Sequence, residues 1–395
     1  MDIAIAGAGI AGLTAAILLR RQDHKVVLFD QLEASSPVGS GLMLQPTGQA
    51  VLKALGLLGD IERLGARINR LHGQTSPGNR TVLDVRFSPL GEDVHAIAIH
   101  RAALFDVLQT SAVSAGALFE QGRVVQSVDD GVIAFQNGRR SGKFDLVIDA
   151  LGVRSPLGVN GDKFLDYGAL WANLPWPDNG FDEHALEQRY KAARRMAGVL
   201  PIGRLAGDPA PLTAFFWSLR HDHYNDWRRN GLDVWKEEAL ALWPETKPFL
   251  DAIHDMEQLI FARYAHHTMK NPVRRNLVHI GDSYHAASPQ LGQGANMAML
   301  DAYALAQAIS EQPDTPDALA SYSAKRSGHI RLYQAISWLF TPVYQSDSKV
   351  LPWLRDVIAA PLSRIPPAPY LLASMVAGTL GGPLAKLKLS ASLAA

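Results

Sequence analysis

The most constraining feature of this sequence is its first stretch, in which two predicted strands flank a glycine turn and a helix. An apolar run at residues 2–6 is typical of a strand buried on both faces. A glycine-rich turn, a helical stretch at 13–21 and a β-branched run at 25–29 follow directly. Such a βαβ unit requires parallel strands and a right-handed crossover. The sequence therefore predicts an α/β protein that opens with a parallel sheet.

The turn reads Gly7-Ala8-Gly9-Ile10-Ala11-Gly12, and the second strand ends at Asp30. In this spacing Gly7 permits a tight turn, Gly9 lets a pyrophosphate approach the backbone, and Gly12 lets helix and strand pack closely. The helix N-terminus offers unpaired N–H groups and a positive dipole to phosphates. Asp30 is placed to accept hydrogen bonds from a ribose. The motif predicts a dinucleotide site, but it does not separate NAD from FAD.

A second glycine motif lies between a predicted strand at 276–280 and a helix that begins near Gly294. Asp282, just after the strand, suits a hydroxyl-rich chain such as ribityl. Gly292 and Gly294 flatten the backbone, so that a planar ring can lie against it. The helix directs its positive end at an anionic atom of that ring, as in a reduced flavin. This motif therefore favours a flavin.

The second motif also carries a family resemblance. Its pattern is Gly281-Asp282-Ser283-x-His285-x-x-x-Pro289-x-x-Gly292-x-Gly294-x-Asn296, followed by Asp301. It resembles the FAD-dependent aromatic monooxygenases of the para-hydroxybenzoate hydroxylase fold, the class A flavoprotein monooxygenases. The string Ile99-His100-Arg101-Ala102-Ala103-Leu104 is similar to the place where that family sets an arginine beside the flavin pyrophosphate and ribityl chain. Val125 falls where the family gives a backbone contact to adenine.

The resemblance implies a fold, a cofactor and a reaction. The fold is a Rossmann-like FAD-binding domain with an inserted mixed β-sheet substrate domain and a C-terminal helical tail. The cofactor is FAD, held noncovalently because the chain has no cysteine. The reaction is hydroxylation of an aromatic or heteroaromatic small molecule by a flavin C4a-hydroperoxide. The residues implied to bind the cofactor are Gly7, Gly9, Ala11, Gly12, Asp30, Gln31, Gly41, Arg101, Val125, Asp282, Gly292, Gly294, Ala295 and Asn296.

The implied catalytic positions act mainly through the backbone. Pro289 and Gly292 would line the flavin face where oxygen is activated. His285 is a further candidate, although a histidine beside a phosphate-binding turn is at least as often structural.

The sequence departs from the family in its central motif, which reads Asp149-Ala150-Leu151-Gly152-Val153-Arg154-Ser155-Pro156-Leu157-Gly158. Leu151 stands where the family has aspartate, and Gly158 where it has arginine. An acceptor and a cation associated with FAD and NAD(P)H are both missing. We hypothesise that a separate flavin reductase, or free reduced flavin, supplies the electrons in place of bound NADH or NADPH.

Composition changes along the chain predict the domain organisation. The FAD-binding domain takes residues 1–72, 98–167 and 270–340. The substrate domain takes 73–97 and 168–269, where six of the eight tryptophans lie and where Glu183 to Arg195 is expected to form a charged helix. Residues 341–395 form a proline-punctuated helical region.

The aromatic residues of the inserted domain favour a flat substrate. Trp171, Phe215 and Trp217 lie on predicted strands and are the candidate substrate residues, although each fits a buried core as well. His266 and His267 are adjacent in sequence and do not suit a metal site, so no metal is assigned.

The charge balance and the two long uncharged stretches bear on other possible partners and locations. The 38 Lys and Arg balance 38 Asp and Glu, which argues against a nucleic-acid partner. The N-terminal apolar stretch lacks the positive region of a secretion signal, so a cytoplasmic protein is expected. A monomer or a homodimer is expected as its oligomeric state. An uncharged run at 365–385 is interpreted as a cover or dimer contact, with membrane contact as the alternative. Two further alternatives are another flavin enzyme of the fold, a reductase or halogenase, and a flavin-less binding protein.

Overall fold

The structure of the protein, a computed structural model, describes residues 1–33, 40–158, 164–177 and 180–390. Within these residues the strands in chain order are β1 (Asp2–Ala6), β2 (Lys25–Phe29), β3 (Gly41–Leu44), β4 (Ala66–Ile68), β5 (Arg70–Thr75), β6 (Thr81–Arg86), β7 (Ala96–His100), β8 (Leu118–Glu120), β9 (Val125–Asp129), β10 (Val132–Phe135), β11 (Arg140–Lys143), β12 (Leu146–Asp149), β13 (Phe164–Pro175), β14 (Ala185–Lys191), β15 (Arg195–Pro201), β16 (Leu212–Arg220), β17 (Ile260–Ala265), β18 (His267–Thr268), β19 (Val273–Arg274), β20 (Leu277–His279) and β21 (His285–Ala286). The helices are α1 (Ile10–Arg20), α2 (Pro46–Ala54), α3 (Leu58–Leu64), α4 (Arg101–Ser114), α5 (Tyr224–Leu242), α6 (Lys247–Asp251), α7 (Gly294–Glu311), α8 (Thr315–Tyr344), α9 (Val350–Leu354), α10 (Ala360–Leu362), α11 (Ala368–Ala377) and α12 (Pro383–Lys386).

The first domain is built on a six-stranded sheet in the order β19-β20-β12-β1-β2-β8. Its strands pair in parallel, except that β19 runs antiparallel to β20. The side chains of residues 3–6 on β1 are fully buried, as expected for a strand covered on both faces. Helices α1, α4 and α7 pack together on one side, and the small sheet β9–β11 covers the other. This architecture confirms the predicted α/β, Rossmann-like fold class.

The second domain is a seven-stranded mixed sheet in the order β17-β13-β16-β15-β14-β5-β6. Its strands come from residues 70–86 and 164–265, whereas the sequence predicts this domain at 73–97 and 168–269. One face packs on a tryptophan-rich cluster under α5 and α6. The other face meets residues of the first domain, including Leu291 and Met297. The two domains therefore share an apolar boundary, while the exact division of the chain remains a prediction.

The predicted helix at 183–195 is wrong, because these residues form β14 and the turn into β15. Along β14 the buried side chains of Leu186, Gln188 and Tyr190 alternate with more exposed ones. This period of two is that of a strand, and it outweighs the helical tendency of the charged residues between. Ala192 then turns the chain with a positive φ of 54°.

The C-terminal region is helical, as predicted. Helix α8 spans 30 residues and crosses the predicted boundary at residue 341. A π-helical turn at Arg355–Ala359 joins α9 to α10. Residues 391–395 of the predicted tail lie outside the described residues. No helix in the described part of the chain is both long enough and apolar enough to cross a membrane.

Candidate active site

The first glycine turn combines two packing glycines with one that faces open space. Gly7 has a φ of +101°, and a Cβ there would lie 2.5 Å from the Ala150 carbonyl oxygen. A Cβ on Gly12 would lie 2.0 Å from the Gly7 oxygen. No heavy atom lies within 4 Å of a Cβ built on Gly9. Helix α1 begins after Gly9 without a capping side chain, so its first N–H groups are available to a phosphate.

The carboxylate of Asp30 is fixed at the end of β2. Its Oδ2 accepts the Ala8 N–H at 2.8 Å, and its Oδ1 accepts the Leu32 N–H at 2.9 Å. Gln31 beside it is exposed. The Arg123 N–H donates to the Asp30 carbonyl at 2.8 Å, which brings the stretch leading to β9 next to the glycine turn.

Val125 opens β9 at this same edge and is 5% exposed. The turn, Asp30, Gln31 and Val125 thus lie near one another, where the adenosine end of a dinucleotide is expected.

The second motif packs directly on the first. Its turn, Gly281–Ser283, follows β20, and a Cβ on Gly281 would lie 3.2 Å from the Ala11 Cβ. Asp282 is exposed within this turn. Desolvation raises the pKa of Asp282, and the charges of His285 and Arg101 oppose that rise. Arg101, the first residue of α4, is exposed and lies close enough for its charge to act on the Asp282 carboxyl.

The loop after the second motif prepares the start of α7. Pro289 is exposed and opens a 3-10 turn that ends at Gly292, whose φ of +60° is left-handed. Helix α7 begins at the exposed Gly294 and the half-buried Ala295 without a capping side chain. Asp282 Oδ1 lies 4.0 Å from the Cβ position of Gly294. The loop thus presents backbone and a positive helix end to the cleft beside Asp282.

Asn296 braces this loop from inside the protein. Its Oδ1 accepts the Gln45 N–H at 2.8 Å, and its Nδ2 donates to the carbonyls of Gly292 and Met43 at 2.9 and 3.1 Å. Asn296 is completely buried. Asn296 therefore holds the loop against β3 through hydrogen bonds between its side chain and backbone groups.

Gly41 lets β3 lie close to the second domain. A Cβ at Gly41 would meet the Ile202 Cγ2 at 2.1 Å and the Ala214 Cβ at 3.3 Å. The absence of a side chain at Gly41 therefore permits the close contact between the two domains.

His285 belongs to a buried ionic chain that the sequence did not reveal. Its Nε2 lies 2.6 Å from Asp301 Oδ2, and Arg326 Nε donates to Asp301 Oδ1 at 2.6 Å. Burial alone would raise the pKa of Asp301, but the charges of His285 and Arg326, and hydrogen bonds from both, lower it to about 2. The Gly281 N–H also donates to this carboxylate, at 2.9 Å. His285 therefore secures the turn that carries Asp282.

The C-terminal region is attached to the same loop. Gln293 Nε2 donates to the Val376 carbonyl at 2.5 Å. Arg326 Nη1 lies 3.1 Å from His329 Nδ1, and His329 Nε2 lies 3.1 Å from the Gly378 carbonyl. Helix α8 and the end of α11 thus hold the loop from behind.

The predicted substrate residues divide between the two faces of the second sheet. Phe215 and Trp217 are 0% and 1% exposed and pack with Trp235 in the cluster under α5. Their assignment to a substrate pocket is corrected, because successive residues of β16 point to opposite faces. Phe216, between them, faces the first domain.

Trp171 lies on that inner face with Phe216, and their ring centroids are 4.7 Å apart. Trp171 Nε1 donates to the Tyr264 hydroxyl at 2.9 Å. Tyr264 was missed, although alternation along β17 places it on the same face as Trp171. Burial raises the pKa of the Tyr264 phenol.

His100 was also missed as a link between the domains, although it lies inside the Arg101 motif. The Ala102 N–H donates to His100 Nδ1 at 3.1 Å at the start of α4. His100 Nε2 lies 2.9 Å from Asn173 Nδ2 on β13. This contact ties the base of the cleft to the inner face of the second sheet.

Comparison with known proteins gives consistent results. A family model described as FAD binding domain matches residues 1–159 and 209–335. The 3-amino-4-hydroxybenzoate 2-monooxygenase of Streptomyces cremeus is 28% identical over 356 residues, which cover 82% of this chain and 82% of that protein. A tetrameric form of 2-methyl-3-hydroxypyridine-5-carboxylic acid oxygenase has a TM-score of 0.79 at 21% identity and covers 97% of both chains. Klebsiella pneumoniae HpxO complexed with FAD and uric acid has a TM-score of 0.79 at 18% identity, covering 95% of this chain and 97% of that one.

The family match covers most of the chain and includes both glycine motifs and the start of α4. The solved structures share the two-domain fold over nearly their whole length. The predicted resemblance and the predicted FAD cofactor are thereby confirmed. The chain belongs to the FAD binding domain family and is an FAD-dependent monooxygenase with the fold of the aromatic hydroxylases.

Proposed function

We propose that the enzyme hydroxylates a flat aromatic or heteroaromatic ring held between the second sheet and the 289–294 loop, and that the ring carries an oxygen or nitrogen able to accept a hydrogen bond. The observation that carries the proposal is the pair Trp171 and Phe216 on the inner face of the sheet. Both pack in the apolar cluster that includes Leu291 of the loop and Met43 of β3. Two aromatic side chains at such a boundary favour a flat, apolar substrate.

The same proposal places FAD along the two motifs. The open space at Gly9 and the uncapped start of α1 suit the pyrophosphate, Asp30 suits the ribose, and Asp282 with Arg101 suits the ribityl chain and its phosphate. Bound FAD supplies the activation of dioxygen, which no side chain of this chain can supply. The loop and the N-terminus of α7 hold the ring and stabilise negative charge beside it.

Tyr264 is proposed to orient the substrate. Its oxygen accepts the Trp171 N–H at 2.9 Å, and its raised pKa keeps the phenol protonated at neutral pH. No described residue accepts its proton in a hydrogen bond. The O–H is therefore available to an acceptor on the substrate, and fixes which ring carbon faces the loop.

We also propose that electrons come from a separate reductase or from free reduced flavin. Leu151, which replaces an expected aspartate, is a half-buried apolar residue whose N–H donates to Asp149 at 3.0 Å. Gly158 carries no charge to offer a nicotinamide phosphate. A cytoplasmic location is part of this proposal, because reduced flavin is available there.

The donor is tested by anaerobic stopped-flow absorbance of the FAD-loaded enzyme. NADH and NADPH are expected to leave the flavin spectrum oxidised, both with and without substrate, while chemically reduced free flavin supports turnover. Rapid bleaching by either nicotinamide alone would show that the enzyme binds the donor directly.

The substrate class is tested by oxygen uptake with a reduced-flavin supply and a panel of hydroxylated benzenes, pyridines, quinolines and purines. At least one flat ring should give a product heavier by one oxygen atom, detected by mass spectrometry. An equally broad panel of aliphatic ketones and amines is the control. Oxygenation of those compounds, with none of the rings oxygenated, contradicts the proposal.

A further inference from the structure

The helical segment at 350–365 turns its apolar side toward solvent. We call its exposed residues the outer stripe: Val350, Trp353, Leu354, Val357, Ile358, Leu362 and Ile365, which are between 38% and 63% exposed. From Val350 to Leu362 these residues follow the i, i+3, i+4, i+7 spacing of one side of the helix formed by α9, the π turn and α10, and Ile365 follows three residues after that helix ends. A surface helix of a globular protein normally directs its polar side outward.

The orientation of this segment is fixed by its buried side. Arg355 is 2% exposed, pairs with Asp356 at 2.7 Å, and lies 5.0 Å above the Tyr190 ring and 5.3 Å above the Tyr344 ring. Pro352 is also buried. The outer stripe therefore faces solvent because the opposite side is anchored to the second domain.

Exposed apolar side chains are concentrated in this part of the chain. Of the nineteen large hydrophobic side chains exposed among the described residues, twelve lie between residues 332 and 371. They include Trp338 on α8, which is 71% exposed, and Tyr370 at the start of α11, which is 55% exposed. A concentration of this kind marks an interaction surface.

The unpaired charged side chains between residues 331 and 365 are all positive. Arg331, Lys349 and Arg364 are exposed and form no ion pair with any described residue. The two acidic residues of this stretch, Asp347 and Asp356, are each paired with arginine. The surface thus presents apolar side chains with a positive rim.

A cavity of about 410 Å³ opens along the inner edge of the outer stripe. Arg80 and Lys349 line it together with Trp353 and Val357. Asp356 also lines it, but its carboxylate accepts the Arg355 Nε–H. The cavity therefore offers cationic and apolar contacts side by side, which suits an anionic lipid headgroup and the start of its acyl chain.

We propose that the outer stripe binds an anionic lipid surface, with the helical segment lying in the plane of the membrane interface. Apolar and aromatic side chains would enter the headgroup boundary while Lys349 and Arg364 contact anionic lipids. A symmetric contact with a second copy is less suited to this surface. Such a contact joins the same patch on both subunits and would oppose their unpaired positive charges.

The proposal is tested by co-sedimentation of the FAD-loaded enzyme with vesicles. One set contains phosphatidylcholine alone, and the other contains about one third phosphatidylglycerol. The wild-type enzyme is expected to bind the anionic vesicles, to shift its tryptophan emission to the blue, and to be released by about 0.5 M salt because the charges are screened. Binding to the neutral vesicles should be weaker by on the order of tenfold.

Two variants separate the apolar and electrostatic parts. Trp353→Ser with Ile358→Ser, and Lys349→Glu with Arg364→Glu, should each lower partitioning by on the order of tenfold. The matched control is Val113→Ser with Leu118→Ser, which removes two apolar side chains that are 54% and 65% exposed on the first domain. All three proteins should retain their flavin spectrum, since every substituted residue is exposed.

Absence of binding to anionic vesicles at low salt overturns the proposal. Equal binding by the wild type and by the stripe variant, Trp353→Ser with Ile358→Ser, also overturns it. Light scattering measures self-association in parallel. A dimer that the stripe variant dissociates, without any vesicle binding, would assign the outer stripe to a second copy instead.

Discussion

At Gly9 a methyl group would meet no protein atom within 4 Å, whereas at Gly12 it would lie 2.0 Å from a carbonyl oxygen. The φ of Gly9 is −76°, which alanine adopts readily. The two glycines of one motif therefore have separable roles. Gly12 is required by the fold, whereas the space at Gly9 is open, as the proposed approach of the cofactor requires.

The substitution Gly9→Ala is expected to leave the thermal unfolding temperature of the apoprotein unchanged, and to weaken FAD binding by at least about tenfold, because the methyl group occupies the space of the pyrophosphate. FAD titration by flavin fluorescence measures the affinity. Gly59→Ala is the control, since a Cβ there also meets no atom within 4 Å. Equal FAD affinity in Gly9→Ala and wild type would place the pyrophosphate elsewhere.

Tyr264→Phe removes only the hydroxyl that is proposed to orient the substrate. The KM for the aromatic substrate is expected to rise about tenfold, the scale of one lost hydrogen bond, and product formation should become less well coupled to oxygen uptake. FAD affinity should not change. Tyr303→Phe, on the half-buried side of α7, is the control. Unchanged KM and coupling in Tyr264→Phe would remove Tyr264 from the substrate site.

The two glycine motifs could be recognised because their chemistry follows from local spacing, and the contact of their residues with FAD stays a prediction. The residues proposed to contact the substrate could not be predicted, because they depend on which face of β16 points toward the first domain. The sequence offers Phe215, Phe216 and Trp217 in succession, and only the packing of α5 decides that Phe216 faces the cleft. A shift of one residue exchanges the two faces.

At the scale of elements, α7, α8 and the end of α11 are joined by polar groups buried between them. His285, Asp301, Arg326 and His329 link these helices in sequence, and the last reaches the Gly378 carbonyl. These contacts could not be predicted, because His285–Asp301, Asp301–Arg326 and His329–Gly378 each join residues at least 16 positions apart in the chain, and each histidine fits a core as well as a site. Through this network the C-terminal region helps to hold the 289–294 loop in place.

This network predicts a pH dependence of stability. Burial and then the charge of Arg326 lower the pKa of His329 to about 3; the hydrogen bond to the Gly378 carbonyl and the charge of Asp301 raise it by less, and the charge of His285 lowers it slightly further. The unfolded chain takes up a proton at His329 near pH 6.5, and the folded protein does not. The contribution of His329 is therefore complete above pH 6.5 and is lost as the pH falls toward 3, by about 1.4 kcal/mol for each pH unit.

Urea unfolding at pH 7.5, 6 and 5 measures this contribution when the wild type is compared with His329→Gln. The free energy of unfolding should fall more steeply with acidification in the wild type than in the variant. His254→Gln, at an exposed histidine, should follow the wild type. Parallel curves for His329→Gln and wild type would contradict neutral burial of His329.

The helix predicted at 183–195 shows why elements of the inserted domain were harder to predict than those of the first. Its charged residues favour a helix by composition, but Leu186, Gln188 and Tyr190 alternate as a strand requires. Helix α7 was predicted correctly because it begins within the second glycine motif. Motif context, rather than composition, carried the successful predictions.

At the scale of the whole molecule, the two domains meet where the 289–294 loop packs near Trp171 and Phe216 of the second sheet. The family resemblance carried by the motifs predicted the two-domain fold and the reaction class. The exposed outer stripe lay partly in the uncharged run at 365–385, yet most of it precedes that run and became visible only when the burial of Arg355 fixed the orientation of the helix.

The most direct test of oxygen transfer is a single turnover with labelled dioxygen. FAD-loaded enzyme is reduced photochemically without oxygen, then mixed with ¹⁸O₂ and the aromatic substrate found in the screen. The two electrons and two protons of the reduced cofactor convert one oxygen atom to water, and the other should appear in the product. One ¹⁸O atom per hydroxylated ring is the expected result. A product labelled only when H₂¹⁸O replaces ordinary water would contradict the assignment as a monooxygenase.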